Sequence, residues 1–274
     1  MEFSSEVLTL EVDGHVATLW LDRAEARNAM GSALWRDLPL AADAVSANRD
    51  IRVLIIAAKG PHFSVGLDLK EFGGSFAGWS SSTSRATSNA QSYKAVRSMQ
   101  SSVTSIADLA VPVIAAIHGY CIGGGVDLVS ACDIRLCASD AKFSVRETKV
   151  AIVADLGSLQ RLPKIINAGH LAELAYTGKD IDAQRALAIG LVSEVFEDSD
   201  AVLDGAHTLA LEIAQNSPLA VQGTKAVLAA NDGRSVDEGL EFVARWNTMY
   251  LHSNDLREAM TAFMEKRPPV FRGD

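Results

Sequence analysis

Between Val7 and Leu21 apolar residues alternate with polar ones on either side of Asp13-Gly14. Alternation broken by a turn dipeptide predicts two short strands. Asn28 to Ala47 has a helical period instead, with Leu34, Leu38, Ala41, Ala42 and Val45 on one side. Three apolar runs follow: Val53 to Ala58, Val111 to Ile117, and the weaker Asp133 to Ala138. Such runs suit strands covered on both faces, and helices between them imply parallel crossovers. Gly73 to Gln91 is rich in Gly and Ser and lacks an apolar period. It predicts a mobile loop, a passive linker or a lid, with a helix starting near Ser92. From Asp200 onward the pattern turns helical, over Val202 to Gln215, Pro218 to Ala230, Val236 to Met249 and Ser253 to Lys266. The expected division is an α/β core over 1–200 and a helical region over 201–274.

Composition narrows the possibilities. The 274 residues are 48% hydrophobic and 22% charged, ordinary for a folded soluble chain. The net charge of −9 has the wrong sign for a general binder of nucleic acid or acidic membranes. No apolar run reaches the length of a membrane helix. The opening MEFSSEVLTL has neither a basic nor a hydrophobic leader region. Three cysteines, Cys121, Cys132 and Cys137, have no CxxC spacing and suit a reducing compartment. The expected location is cytoplasmic.

The common nucleotide, metalloprotease and serine-hydrolase motifs are absent, and nothing suggests a metal. His118 follows a buried strand and reads as structural. Three segments carry candidate chemistry. In the first, Ile117 to Leu128, a strand ends in Gly123-Gly124-Gly125 and the helix VDLVSAC follows. Glycines let a ligand approach the backbone, and amides at a helix start are free to meet an oxyanion. A tight packing turn explains the same pattern. Asp127 falls in the first turn of that helix, where it also suits the helix dipole. The second segment, Gly60 to Lys70, likewise follows a buried strand. Two strand ends with amides pointing one way are what a two-donor oxyanion hole needs. The third segment, Phe143 to Ser158, holds Glu147 and Asp155 among apolar residues, which raise carboxyl pKa values toward neutrality. Equally, Glu147 could pair with Arg146 or Lys149, and Asp155 could cap a helix starting at Leu156.

Together the three segments resemble the crotonase, or enoyl-CoA hydratase/isomerase, superfamily, over nearly the whole chain. Leu21 to Met30, Phe63 to Lys70, Gly119 to Leu128, Thr177 to Val192 and Phe263 to Phe271 each look like one of its landmarks. The resemblance implies a ββα spiral core with a C-terminal helical region, assembled as a homotrimer or homohexamer. It implies an acyl-CoA thioester as substrate, with no cofactor beyond the coenzyme A it carries. The thioester oxygen would accept from the amides of Leu67 and Gly124. The acyl-CoA would cross Ser64, Val65, Gly66, Leu67 and Asp68, with Lys70, Arg27 and Lys266 as local cations, the last from a neighbouring subunit. Val65 and Leu67 are larger than the residues many relatives carry there.

Within the superfamily, GGGVDL…VRE…ADLGSLQRLP looks like the Δ3,5-Δ2,4-dienoyl-CoA isomerases of fatty acid β-oxidation. Hydratases resemble the chain too, with two carboxylates around one water. Shifting a diene into conjugation needs proton removal at C2 and delivery at C6, hence two separated proton carriers. The expected catalytic set is Asp127, Glu147 and Asp155, with Glu147 as base, Asp155 as acid and Asp127 keeping the pair in opposite protonation states. The alternatives are an enoyl-CoA hydratase with Asp127 and Glu147 flanking water, and a non-catalytic acyl-CoA-binding protein. A serine peptidase on the same core lacks a His–Asp partner for Ser64.

Overall fold

A computed structural model describes residues 3–77 and 84–274, with backbone only over 74–77. The hairpin is present as β1 (Leu8–Asp13) and antiparallel β2 (Val16–Leu21). Helix α1 (Ser32–Ala47) buries Leu34, Leu38, Ala41, Ala42 and Val45, the face its period marked out. Then come β3 (Val53–Ala58), α2 (Leu69–Ala77), α3 (Arg85–Ala107), β4 (Val113–Ile117), β5 (Tyr120–Ile122), α4 (Gly124–Ser130), β6 (Ile134–Ala138) and β7 (Lys142–Ser144). After them come α5 (Ser158–Arg161), α6 (Ala168–Thr177), β8 (Ile181–Asp182), α7 (Ala183–Ala188) and β9 (Glu194–Phe196). The last elements are α8 (Ser199–Ala214), α9 (Pro218–Ala230), α10 (Val236–Tyr250) and α11 (Asn254–Glu265).

From β4 to β7 the strands alternate between two sheets. The larger has the order β1-β2-β3-β4-β6-β9, parallel from β2 onward, and the smaller the order β5-β7-β8. This alternation is the spiral: β4 lies in the large sheet, β5 in the small one, and α4 leads to the next turn. Every residue of β3 and β4 is buried, which explains their unbroken apolar runs. Helix α8 covers one face of the large sheet, packing Val202, Ala206, Ala210 and Ala214 against Val53, Ile55, Ile114 and Leu136. Although it starts at the expected boundary near 200, this helix packs with the sheet. The chain after Ser217 builds a separate group of helices.

The Gly/Ser-rich stretch departs from expectation. Helix α2 runs to Ala77, and α3 begins at Arg85 rather than near Ser92, with the Ser84 hydroxyl accepting from the Thr87 amide at 3.3 Å. The first turns of α3 are exposed nearly all round, so no apolar period announces them. The rest of the expected loop, 78–83, lies outside the described residues.

Candidate active site

Parallel pairing brings the two glycine-containing turns together. Past β3, Ser64 forms a bridge with Cys121 of β5: the Ser64 amide donates to Tyr120 O at 2.8 Å and the Ile122 amide to Ser64 O at 3.0 Å. Two residues on, Gly66 adopts φ +84°, and a methyl group there would come within 2.6 Å of Ile122 O and 3.4 Å of Gly124 N. The turns therefore touch, and only a glycine permits it. Leu67 is held by a bridge to Met30, in which the Met30 amide donates to Gly66 O and the Asp68 amide to Met30 O. Among the described residues the amides of Leu67 and Gly124 donate to no protein acceptor. Two unspent donors in touching turns are the kind of group that binding a developing oxyanion calls for.

Several expected substrate contacts hold this turn in shape. Buried Ser64 donates its hydroxyl to Asn28 O at 2.8 Å and accepts from the Gly66 amide at 3.1 Å. Asp68 accepts from the amides of Lys70 and Glu71, capping α2, and pairs with Arg23 at 2.8 Å. Burial opposes its ionisation, but the Arg23 guanidinium and those two amides win and lower its pKa. Asn28, which carries no expected role, stands at φ +52° and donates to Lys59 O and His62 O, both at 2.9 Å. Val65 and Leu67 are half-buried, while Lys70 and Arg27 are exposed beside the turn. Lys266 caps the end of α11 in the left-handed region and is exposed. No contact among the described residues joins Lys266 to either glycine turn. His118 is structural, its Nε2 at 2.8 Å from Gly60 O.

The three carboxyl groups share one neighbourhood. Asp127, in the first turn of α4, is 1% exposed, and the Ser158 amide donates to its Oδ1 at 2.6 Å. Burial pushes its pKa up to about 6 against that bond, and the Asp155 charge adds to the rise while Arg161 opposes it. Glu147 opens a short 3₁₀ turn after β7, and its Oε1 lies where a methyl on Gly123 would approach to 3.3 Å. This carboxyl therefore sits against the Gly124 turn. Its Oε2 is buried without a partner among the described residues. Burial pushes Glu147 up to about 7, with the charges of Asp127 and Asp155 acting in the same direction. Burial also raises Asp155.

The ion-pair reading of Glu147 does not hold: Arg146 turns away to Asp180, and no ion pair among the described residues joins Glu147 to Lys149. Nor does Asp155 cap a helix. The amide that begins α5 is taken by Asp127 from across the chain. No group of three metal-ligating side chains occurs among the described residues, and none of their helices is long and apolar enough to cross a membrane.

Known proteins bear out the resemblance. A protein of Dictyostelium discoideum named Delta(3,5)-Delta(2,4)-dienoyl-CoA isomerase, mitochondrial, is 46% identical over 257 residues, 94% of this chain and 87% of that one. A peroxisomal protein of the same name from Arabidopsis thaliana is 43% identical over 97% of this chain and 96% of its own length. These relatives are named for organelles, which overturns the cytoplasmic expectation. A reducing compartment, all that three unpaired cysteines indicate, does not identify the cytosol. The crystal structure of an enoyl-CoA hydratase from Bacillus anthracis superposes with a TM-score of 0.89 at 31% identity, covering 98% of this chain and all of that one. Residues 11–274 match the family described as enoyl-CoA hydratase/isomerase. With its alternating sheets and touching glycine turns, the chain belongs to the enoyl-CoA hydratase/isomerase family.

Proposed function

We propose that the chain is a Δ3,5-Δ2,4-dienoyl-CoA isomerase acting in fatty acid β-oxidation, with Leu67 and Gly124 as oxyanion donors and Glu147 and Asp155 as proton carriers. The observation that carries this reading is the state of Asp127. It is buried and already accepts the Ser158 amide, which leaves it poorly placed to hold the water of a hydratase. Glu147 and Asp155 remain as the two half-buried acids. The 42–46% identical relatives named for this reaction support the same reading.

In the mechanism the thioester oxygen accepts from the two amides. Ionised Glu147, beside the oxyanion turn, takes the C2 proton, and the electron pair spreads into a conjugated enolate. Asp155 delivers its proton at C6, leaving double bonds at C2 and C4. One proton enters the protein and one leaves it, and the two acids exchange protonation states. A base with a pKa of about 7 is well matched to this work near neutral pH. Like charges this close disfavour ionisation of all three acids at once, so the cluster retains a proton to deliver. Losing one oxyanion donor typically costs about 3 kcal/mol of transition-state stabilisation.

Lys70 and Arg27, exposed beside the turn, supply cations for the CoA phosphates, as does Lys266 of a neighbouring copy in a homotrimer or homohexamer. No cofactor is required. The test is a screen of 3,5-dienoyl, 3-enoyl and 2-enoyl thioesters followed by ultraviolet absorbance. Conjugated dienoyl product appears if the reading is right. Loss of 2-enoyl absorbance with no action on the diene would make the protein a hydratase.

A further inference from the structure

Asp127 and Asp155 are held through a loop, and that loop has few anchors of its own. Asp155 lies three residues before Ser158, whose amide meets Asp127. Between them Gly157 stands at φ +128°, and a Cβ there would collide with the guanidinium of Arg161. That guanidinium reaches from α5 in two directions. Its Nη2 donates to Thr104 Oγ1 of α3 at 2.9 Å, and its Nη1 makes a longer 3.3 Å contact with Leu156 O. One turn earlier on α3, Gln100 Nε2 donates to Asp155 O at 2.6 Å, while Arg97 donates to Gln100 Oε1 at 2.8 Å. Two successive turns of α3 thus grip the backbone at 155 and 156, the second through Arg161.

We propose that Arg161 is a positioning residue for the proposed isomerase site, its guanidinium clamping the Leu156–Ser158 turn onto α3 and so setting both the Ser158 bond to Asp127 and the placement of Asp155. The inference rests on the carboxylate roles proposed above. A guanidinium suits the task because its planar fork donates two ways at once and stays charged. The groups that face Asp127 are Glu147 and Asp155, the Arg161 cation and the Cys121 thiol of β5. Arg161 is the cation of that set.

The experiment compares Arg161→Met, Arg161→Lys and Thr104→Val in the full-length protein, with a 3,5-dienoyl-CoA as substrate. Arg161→Met is expected to lower kcat at least tenfold while KM changes less than twofold. It also removes the positive charge that lowers Asp127, so the part of the acidic limb that Asp127 sets, near pH 6, moves up by about one pH unit. Arg161→Lys returns the limb but not the full kcat, because an ammonium lacks the fork. Thr104→Val gives a smaller fall in kcat and carries the test if Arg161→Met does not fold. In an Asp127→Asn background Arg161→Met should leave the limb in place. A wild-type kcat and limb in Arg161→Met, or an equal shift in the Asp127→Asn background, overturns the proposal. Asp155→Asn is measured in parallel: if it keeps the wild-type rate, the carboxylate reading falls first and this inference with it. If Asp155→Asn is dead and Arg161→Met is normal, only the positioning role fails.

Discussion

Asp127 is a carboxylate where water does not reach, met by one amide and facing two other acids. Its pKa of about 6 lies above the ordinary value of 3.8, so the native state holds this proton more tightly than the unfolded chain does. Stability from this group is full below about pH 4, falls as pH rises to about 6, and stays reduced above. The shift of some two units corresponds to about 3 kcal/mol. Asp127→Asn keeps an oxygen for the Ser158 amide and removes the charge. It should raise Tm at pH 8, leave it unchanged near pH 4, and slow catalysis, as expected where a site is strained for function. Thermal melts at the two pH values check this. Asp155→Asn should cut isomerisation by about 10²–10⁴-fold while acyl-CoA binding survives. Wild-type turnover would also show its limits by pH. As the proposed base, Glu147 must be ionised to accept a proton, so kcat should rise through about pH 7. It should fall again at higher pH, where the coupled acids no longer hold a proton to deliver. A kcat flat from pH 5 to 9 would contradict the acid–base pair.

At the scale of the element, the amide of Gly124 can be tested where it stands, in the first residue of α4. Proline is tolerated at a first helical position because the missing N–H has no partner within the helix. Both proline and alanine would press a Cβ toward Met30 Sδ, to 2.9 Å, at the flexible end of that side chain. Gly124→Ala is therefore the steric control, and Gly124→Pro in addition lacks the donor. Turnover of a 3,5-dienoyl-CoA should be about 10²–10³-fold lower in the proline variant than in the alanine variant. Equal rates would remove Gly124 from the oxyanion hole. The sequence announced these turns because a buried strand followed at once by glycines has few uses, and β3 and β4 were legible because both faces are covered. Other features stayed hidden for physical reasons. The start of α3 is exposed nearly all round and so carries no period. Arg161 is one cation among 25 basic residues, and its clamp joins segments 57 residues apart. Asp127 could be read as a helix-dipole residue until its burial and its bond to Ser158 were known.

For the whole molecule, the helices after Ser217 leave apolar side chains that a single copy does not cover. Phe263 and Met264 are each 81% exposed, with Met260, Met249 and Val270 exposed as well. Single apolar residues on a surface are ordinary, but several on adjoining segments mark a contact surface. Lys266 lies two residues after Met264, at the end of α11. A cation in that place can serve the acyl-CoA if α11 meets a second copy beside its glycine turns, which ties substrate binding to assembly. Replacing both Phe263 and Met264 by Asp should reduce the mass measured by light scattering to that of one chain. It should also weaken CoA binding about tenfold, one lost charge-assisted contact, and Lys266→Ala should weaken it by a similar factor without changing the mass. If the double variant stays assembled, the face is not the interface. If it dissociates with CoA affinity intact, each copy binds its substrate with Lys70 and Arg27 alone.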